Sequence, residues 1–480
     1  MTSLFLRALS PFIRFMPEVK SPQRELTLRE KLMWTLGALI IYLIMAHLPL
    51  YGVNPESSGY DYLWAMRVIL ASSRGTLMEL GIGPIVTAGL VMQLLSGSKI
   101  IDVDFSNPED RAMFTGGQKV LAVLMTLFQA GAYIIGNAFG QLSVTNAILV
   151  FLQLTAAGII VIMLDELVQK GWGLGSGVSL FIMANVAGQV FLNSFDPNPA
   201  SGSTLPRGVI TAILALARDA FSGQPVDWLQ ILYRPGNAPS IVGLVVTAFI
   251  FLSVIYLESV KVEIPLQYAQ YRGIKARYPI KLMYTSNIPV ILAQALYANI
   301  IFFTQILWQR TGGSNFWLNL LGNYKEGTSN RLIPQPDSLV YYITPPQGLE
   351  STLADPLHAL IYAVILTLLC YWFSVIWVDI SGMAPRDIAR QLLDSGYIVP
   401  GFRRSEKVLE KLLNRYIPVV AGVGGLIIGL LAAFADVLGA LSSGAGILLM
   451  VSIINQYAEQ LAKEQLASAE PGLGGLLGII

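Results

Sequence analysis

Apolar stretches long enough to cross a bilayer recur ten times along the chain. A window of about 19 residues places them at 32–52, 77–96, 119–139, 144–166, 174–192, 239–258, 287–308, 357–378, 417–438 and 442–461. A helix needs about 20 such residues to span a hydrocarbon core of about 30 Å, so the pattern predicts an all-α polytopic membrane protein. The fifth stretch, "LGSGVSLFIMANVAGQVFL", is Gly-rich and the weakest. The second is irregular. It belongs to "SSRGTLMELGIGPIVTAGLVMQLLSG" (72–97), whose first part carries Arg74 and Glu79 and is broken by Gly81, Gly83 and Pro84. Just upstream, "YDYLWAMRVIL" (60–70) is apolar and helix-like but too short to span.

Composition agrees. The 480 residues are 54% hydrophobic and 13% charged, against about 25% charged in a soluble domain, which excludes an ordinary water-soluble core. The one cysteine, Cys370, excludes an intramolecular disulfide framework and reads as a small buried apolar group. The N-terminal "LFLRALSPFIRFMPEV" is amphipathic and dotted with Arg, as expected of a helix lying on a membrane surface. No cleavable signal is evident, because the next apolar run has no small-residue cleavage pattern after it.

Charge sets the orientation. Most of the 31 Lys and Arg fall in the segments that share a side with the N-terminus, so the positive-inside rule places both termini in the cytosol. The expected organisation is a cytosolic segment 1–31, a first half 32–192, a non-cytosolic connection 193–238, a second half 239–461 and a tail 462–480. Segments 53–76, 193–238 and 309–356 are long and non-cytosolic. The loops 259–281 and 384–415 are cytosolic and basic. The first alternates apolar and polar residues between Pro265 and Pro279 and reads as a projecting hairpin. Ten spans divide into two fives. Five is odd, so two similar halves would be inverted, with a functional path between them. No residue-level repeat is visible, so this rests on the count.

The chemistry of enzymes is missing. His47 and His358 are the two histidines, each near a span end, and no metal-ligand spacing or Gly-x-Ser-x-Gly elbow appears. Asp165, Glu166, Asp379 and Asp436 fall at span ends and read as boundary residues. No span carries an ionisable residue near its centre, which disfavours an ion-coupled transporter. "GWGLGSGVSL" (171–180) lacks the Lys-Ser/Thr of a phosphate loop and reads as a tight turn. Gln129 and Asn299 are polar and mid-span. They either hydrogen-bond between helices, at about 1 kcal/mol, or face a pore. Arg67 and Arg74 lie against the charge trend, next to an apolar stretch. The plain reading is that they snorkel at the interface.

Six segments in order carry a resemblance: "PLYGV" (49–53), "RGTLMELGIGPIVTAG" (74–89), "LDELVQKGWGLGSGVSLF" (164–181), "YPIKLMYTSNIPVIL" (278–292), "SGMAPRDIARQ" (381–391) and "DVLGALSSGAGILL" (436–449). Together they resemble the SecY family, closest to the alpha subunits of eukaryotic Sec translocons. The resemblance implies a passive protein-conducting channel of ten helices in two inverted five-helix halves around a central pore, neither enzyme nor cofactor carrier. It implies a multi-pass protein of the endoplasmic reticulum membrane. Such a channel passes secretory polypeptides, during or after their synthesis, and releases transmembrane helices through a lateral gate between spans two and three and spans seven and eight.

The same resemblance implies roles for residues. Ile82, Val86, Val178, Ile182, Ile291 and Leu449 match the aliphatic pore ring. An aliphatic constriction is poorly wetted and resists ions. A plug at about 59–70 includes Tyr62, Leu63 and Met66, and Arg67, Arg74 and Glu79 influence signal orientation. Gln129, Asn299 and Asp379 match polar gate positions, although the family usually has Glu where Asp379 stands. Arg272, Arg403 and Arg404 match ribosome contacts, made to rRNA phosphates, while Gln270 replaces a second basic residue. The implied partners are small single-span beta and gamma subunits, the ribosome, signal sequences and nascent chains, membrane partners of post-translational transport, a lumenal chaperone and the lipid bilayer.

Overall fold

The computed structural model describes residues 4–24, 26–53, 61, 66–98, 100, 101, 103, 107–199, 205–222, 232, 234, 238–268, 275–285, 287–313, 315–327, 332–346, 348–400 and 405–469. Its helices of eight or more residues are α1 (Leu4–Phe15), α2 (Leu28–His47), α3 (Gly83–Gly97), α4 (Pro108–Ile135), α5 (Val144–Leu167), α6 (Gly177–Phe195), α7 (Val209–Phe221), α8 (Ile241–Ser259), α9 (Ile288–Thr311), α10 (Pro356–Ile380), α11 (Pro385–Asp394), α12 (Glu406–Val437) and α13 (Gly444–Ala469). Among the described residues five short strands accompany them: β1 (Lys261–Tyr268), β2 (Lys275–Lys281), β3 (Tyr324–Glu326), β4 (Leu332–Pro334) and β5 (Tyr397–Ile398).

The helix starts follow from local chemistry. Thr27 and Glu30 form a reciprocal capping box on α2, and Asn107, Ser143, Ser240 and Asp355 cap α4, α5, α8 and α10. Each cap satisfies a backbone N–H that the helix leaves without a partner. Among the described residues, seven helices are long and apolar enough to cross a membrane: α4, α5 with its following turn, α6, α8, α9, α10 and α12. The other three expected spans are α2, α3 and α13.

The second span differs from expectation. It starts at Gly83, not 77, and has 15 residues, about 22 Å of helix. Residues 77–82 form turns because Gly81 has φ +56, and a Cβ there would lie 2.1 Å from the Leu70 carbonyl oxygen. Only glycine fits that position. Pro84 then starts the helix at its first turn, where a missing N–H costs nothing. Residues 66–71, from the plug stretch, are turns. The expected plug positions Tyr62 and Leu63 lie outside the described residues.

The main contacts between the halves are α3 against α9 and α10, and α6 with α2 against α13. The second span thus meets the seventh, and the fifth meets the tenth, as an inverted pair of halves requires. One core cluster runs through both halves. A smaller core lies among the connections between the spans. The predicted hairpin is there: β1 pairs antiparallel with β2, with Glu263 opposite Pro279 and Pro265 opposite Arg277. Its outer edge pairs with β5 at Gln267–Ile398 and Tyr268–Tyr397, giving strand order β2-β1-β5. Ile264, Leu266 and Ile280 of the hairpin pack on Ile388, Leu409 and Leu413, so the loops at 259–281 and 384–415 form one unit.

Candidate functional site

The six expected ring residues all lie in, or pack against, the apolar core cluster that the two halves share. Ile82, Val86, Ile182 and Leu449 are buried in the main core cluster, and Val178 and Ile291 are half-buried against it. They also expose a repeat that the hydropathy pattern hides. Val86 follows Pro84 by two residues and Ile291 follows Pro289 by two, each Pro standing in the first turn of its helix. Ile182 follows Gly177 by five residues and Leu449 follows Gly444 by five, each Gly being the first residue of its helix. The counterpart helices of the two halves therefore place the residues expected in the ring at the same distances from their first turns.

The turn at 66–71 is seated directly against this region. Met66, Ile69, Leu70 and Ala71 are buried. The Ile82 backbone N–H donates to the Leu70 carbonyl at 2.8 Å. Asn185 on α6 donates to the Val68 carbonyl at 2.8 Å, and the Tyr42 hydroxyl of α2 to the Ala71 carbonyl at 3.4 Å. The seat is thus held from α2, α6 and the start of α3.

Arg67 does not snorkel. Its side chain is 13% exposed and pairs with Asp61 at 2.6 Å and with Glu79, 2% exposed, at 2.7 Å. It also donates to the Ser72 hydroxyl at 2.9 Å, which donates to the Glu79 carbonyl at 2.5 Å. The second Glu79 carboxylate oxygen accepts the Gly75 backbone N–H. Burial works to lower the Arg67 pKa, but the two carboxylates more than offset it and raise the value above the ordinary one. Glu79 thus ties the turn to the entry of α3, while Arg74 is exposed.

The polar mid-span residues sit on the seam between the halves. The Asn299 amide of α9 donates to the Thr87 hydroxyl of α3 at 3.0 Å and to the Ala295 carbonyl at 2.7 Å. Gln129, buried on α4, joins Thr87, Tyr133 and Asn299 around a cavity of about 20 Å³, room for one water. Further along, α3 meets α10 around a void of about 10 Å³ between Leu94, Phe373 and Trp377. On α4, Phe128 lies 5.8 Å from Phe303, and Tyr133 stacks on Phe302 at 5.3 Å. Arg310 donates to the Ile135 carbonyl at 2.8 Å. The seam is closed, and side chains close it. Asp379 is exposed at the end of α10 and away from this cavity. Arg272, Arg403 and Arg404 lie outside the described residues. Asp61, Thr87 and Asn185 leave no mark in the hydropathy or charge pattern; each is ordinary until its partner is known.

Ten helices in two inverted halves, a shared aliphatic region and a closed seam describe a gated membrane channel. The chain belongs to the SecY family: the SecY profile matches residues 76–458, and the profile for the plug domain of Sec61p matches residues 40–75. Solved structures agree. A structure described as that of a protein conducting channel is 38% identical, covering 96% of this chain and 98% of its own, with TM-score 0.80. Sec61 in the canine ribosome-channel complex from the endoplasmic reticulum is 36% identical over 96% and 97%, with TM-score 0.77. The yeast Ssh1 complex, bound to the yeast 80S ribosome, is 26% identical over 95% and 94%, with TM-score 0.75.

Proposed function

We propose that this chain is the pore-forming subunit of a protein-conducting channel of the endoplasmic reticulum membrane, with both termini cytosolic. It passes secretory polypeptides and releases transmembrane helices sideways between α3/α4 and α9/α10. The observation that carries this reading is the 66–71 turn, tied to Ile82 by a backbone hydrogen bond of 2.8 Å. That turn closes an aliphatic ring from one side, so it forms a removable seal. The experiment is resting ion conductance in planar bilayers. Replacing Ile82, Val86 and Ile182 with Gly should raise it, and an unchanged conductance would count against the ring.

Ribosome docking belongs to the same reading. The unit formed by β1, β2, β5 and α11 gathers two basic loops onto one body, which suits a phosphate-bearing partner. Arg272, Arg403 and Arg404 are assigned this contact. Salt-dependent co-sedimentation with ribosomes tests it: Arg272→Glu and Arg403→Glu should each weaken binding, and binding indifferent to both would remove the assignment. Gln129, Asn299 and Asp379 are assigned to the gate, Arg67, Arg74 and Glu79 to signal orientation, and small beta and gamma subunits complete the complex.

A further inference from the structure

The spanning helices α5 and α12 each carry a buried aspartate near the end, Asp165 and Asp436, that neither the seat nor the seam uses. A buried ionisable group is costly unless it is hydrogen-bonded, and both are. Asp165 Oδ1 accepts the Val178 backbone N–H at 2.9 Å and the Ser176 hydroxyl at 3.4 Å, while Oδ2 accepts the Gln169 amide at 2.8 Å. Asp436 Oδ1 accepts the Gly444 backbone N–H at 2.6 Å, and Oδ2 accepts the Tyr362 hydroxyl at 2.8 Å. In each case one oxygen caps the first turn of the next spanning helix, α6 or α13. A side-chain donor holds the other.

The glycines that open these two helices are an independent sign. A Cβ on Gly177 would lie 2.6 Å from Asp165 Cα, and a Cβ on Gly444 would lie 2.0 Å from the Ala432 carbonyl oxygen. Each first turn is therefore pressed against the end of the preceding spanning helix, with no space for a side chain. The clamp and the glycine seat recur at counterpart places, between spans four and five and between spans nine and ten, although the intervening loops differ in length. In both helices the ring residue, Ile182 or Leu449, comes five residues later, about 7.5 Å along the axis. Whatever fixes the first turn fixes the height and rotation of that residue.

We propose that Asp165 and Asp436 are twin positioning residues for the constriction, each setting the pore-lining helix that follows it from the end of the helix before. The proposal rests on the pore-ring reading above. An odd number of crossings separates α6 from α13, so they run in opposite directions and the two clamps act from opposite membrane faces. Loss of either one displaces one side of the ring.

The test is the resting ion conductance of the full chain, purified with its bound subunits and reconstituted in planar bilayers. Asp165→Ala and Asp436→Ala should each raise it roughly tenfold, from the loss of one buried cap. Asp165→Asn and Asp436→Asn keep the Oδ1 acceptor, and the Gln169 amide or Tyr362 hydroxyl can turn to accept from the new amide. These variants should return conductance to within about twofold of the native value. Folded alanine variants that stay sealed, or asparagine variants that leak as much as the alanine ones, would overturn the proposal. Should an alanine variant fail to accumulate, Tyr362→Phe removes only the Oδ2 donor. It should still raise conductance measurably, and a native value there would overturn the clamp at Asp436. Ile182→Gly and Leu449→Gly separate the two readings: if they stay sealed the ring itself fails, and if they leak while the aspartate variants do not, only the clamp fails.

Discussion

Helix α10 meets α12 within its own half and α3 across the seam, and the two contacts differ in kind. Against α12 it touches backbone. A Cβ on Gly425 would lie 2.7 Å from the Cys370 carbonyl oxygen, and one on Gly429 would lie 2.7 Å from Thr367 Cα. Such spacing of small residues lets membrane helices approach until their backbones pack. Ser374 adds a 2.6 Å hydrogen bond to the Ala421 carbonyl. Against α3 it touches side-chain ends: Ile376 and Ile380 reach towards Gly97, beside a void of about 10 Å³. Side-chain ends can rotate away and return; packed backbones cannot part without leaving a cavity. The contact within the half is therefore the more rigid, and the contact across the seam is the more easily parted.

Three substitutions test that contrast. Gly425→Leu should have the largest effect on the yield of folded chain. It forces a side chain into packed backbone, at roughly 3 kcal/mol or more, so little folded chain should be recovered after detergent extraction. Normal recovery would show that α10 and α12 can move apart. Arg67→Ala comes next. It leaves the Asp61 and Glu79 carboxylates buried without their cation, a loss of about 3–5 kcal/mol confined to the plug seat. Total yield should hold, while a cysteine placed at Met66 becomes reactive to a thiol reagent. Asn299→Ala should be the mildest. It removes the Thr87 contact, worth about 1 kcal/mol, which corresponds to roughly a fivefold rise in the open-seam population. Spin labels at the exposed positions Leu124 and Leu307 should report that rise as a larger long-distance fraction.

Each of the ten apolar stretches corresponds to a helix among the described residues, seven of them long and apolar enough to cross a membrane, because a bilayer demands about 20 apolar residues whatever they pack on. Hydropathy also marked 72–97 as irregular, and Gly81 with Pro84 explains why. The pattern alone could not place the start of α3, since Leu77 and Leu80 are apolar although they sit in turns. The hairpin was legible from alternation and two prolines. Its pairing with β5 was not, because that strand has two residues and its partner lies far away in sequence. Arg67 could be read in two ways until Asp61 and Glu79 were seen beside it. The repeat escaped notice because it consists of spacings, Pro84 to Val86 and Pro289 to Ile291, Gly177 to Ile182 and Gly444 to Leu449, with few identities between the halves. Asp165 and Asp436 looked like boundary residues, since burial and capping by side chains distant in sequence leave no local trace.

One hydrogen bond has a kinetic consequence. On the proposed reading, the Ile82 amide and the Leu70 carbonyl, hydrogen-bonded to each other, belong at once to stopper and gasket. Lifting the turn frees both groups, and spreading the start of α3 frees the same two. Partial opening would strand an amide and a carbonyl in an apolar place, which costs about 1–3 kcal/mol. On the proposed reading, half-open states are therefore sparsely occupied, and recordings from single molecules should show abrupt steps between shut and conducting levels.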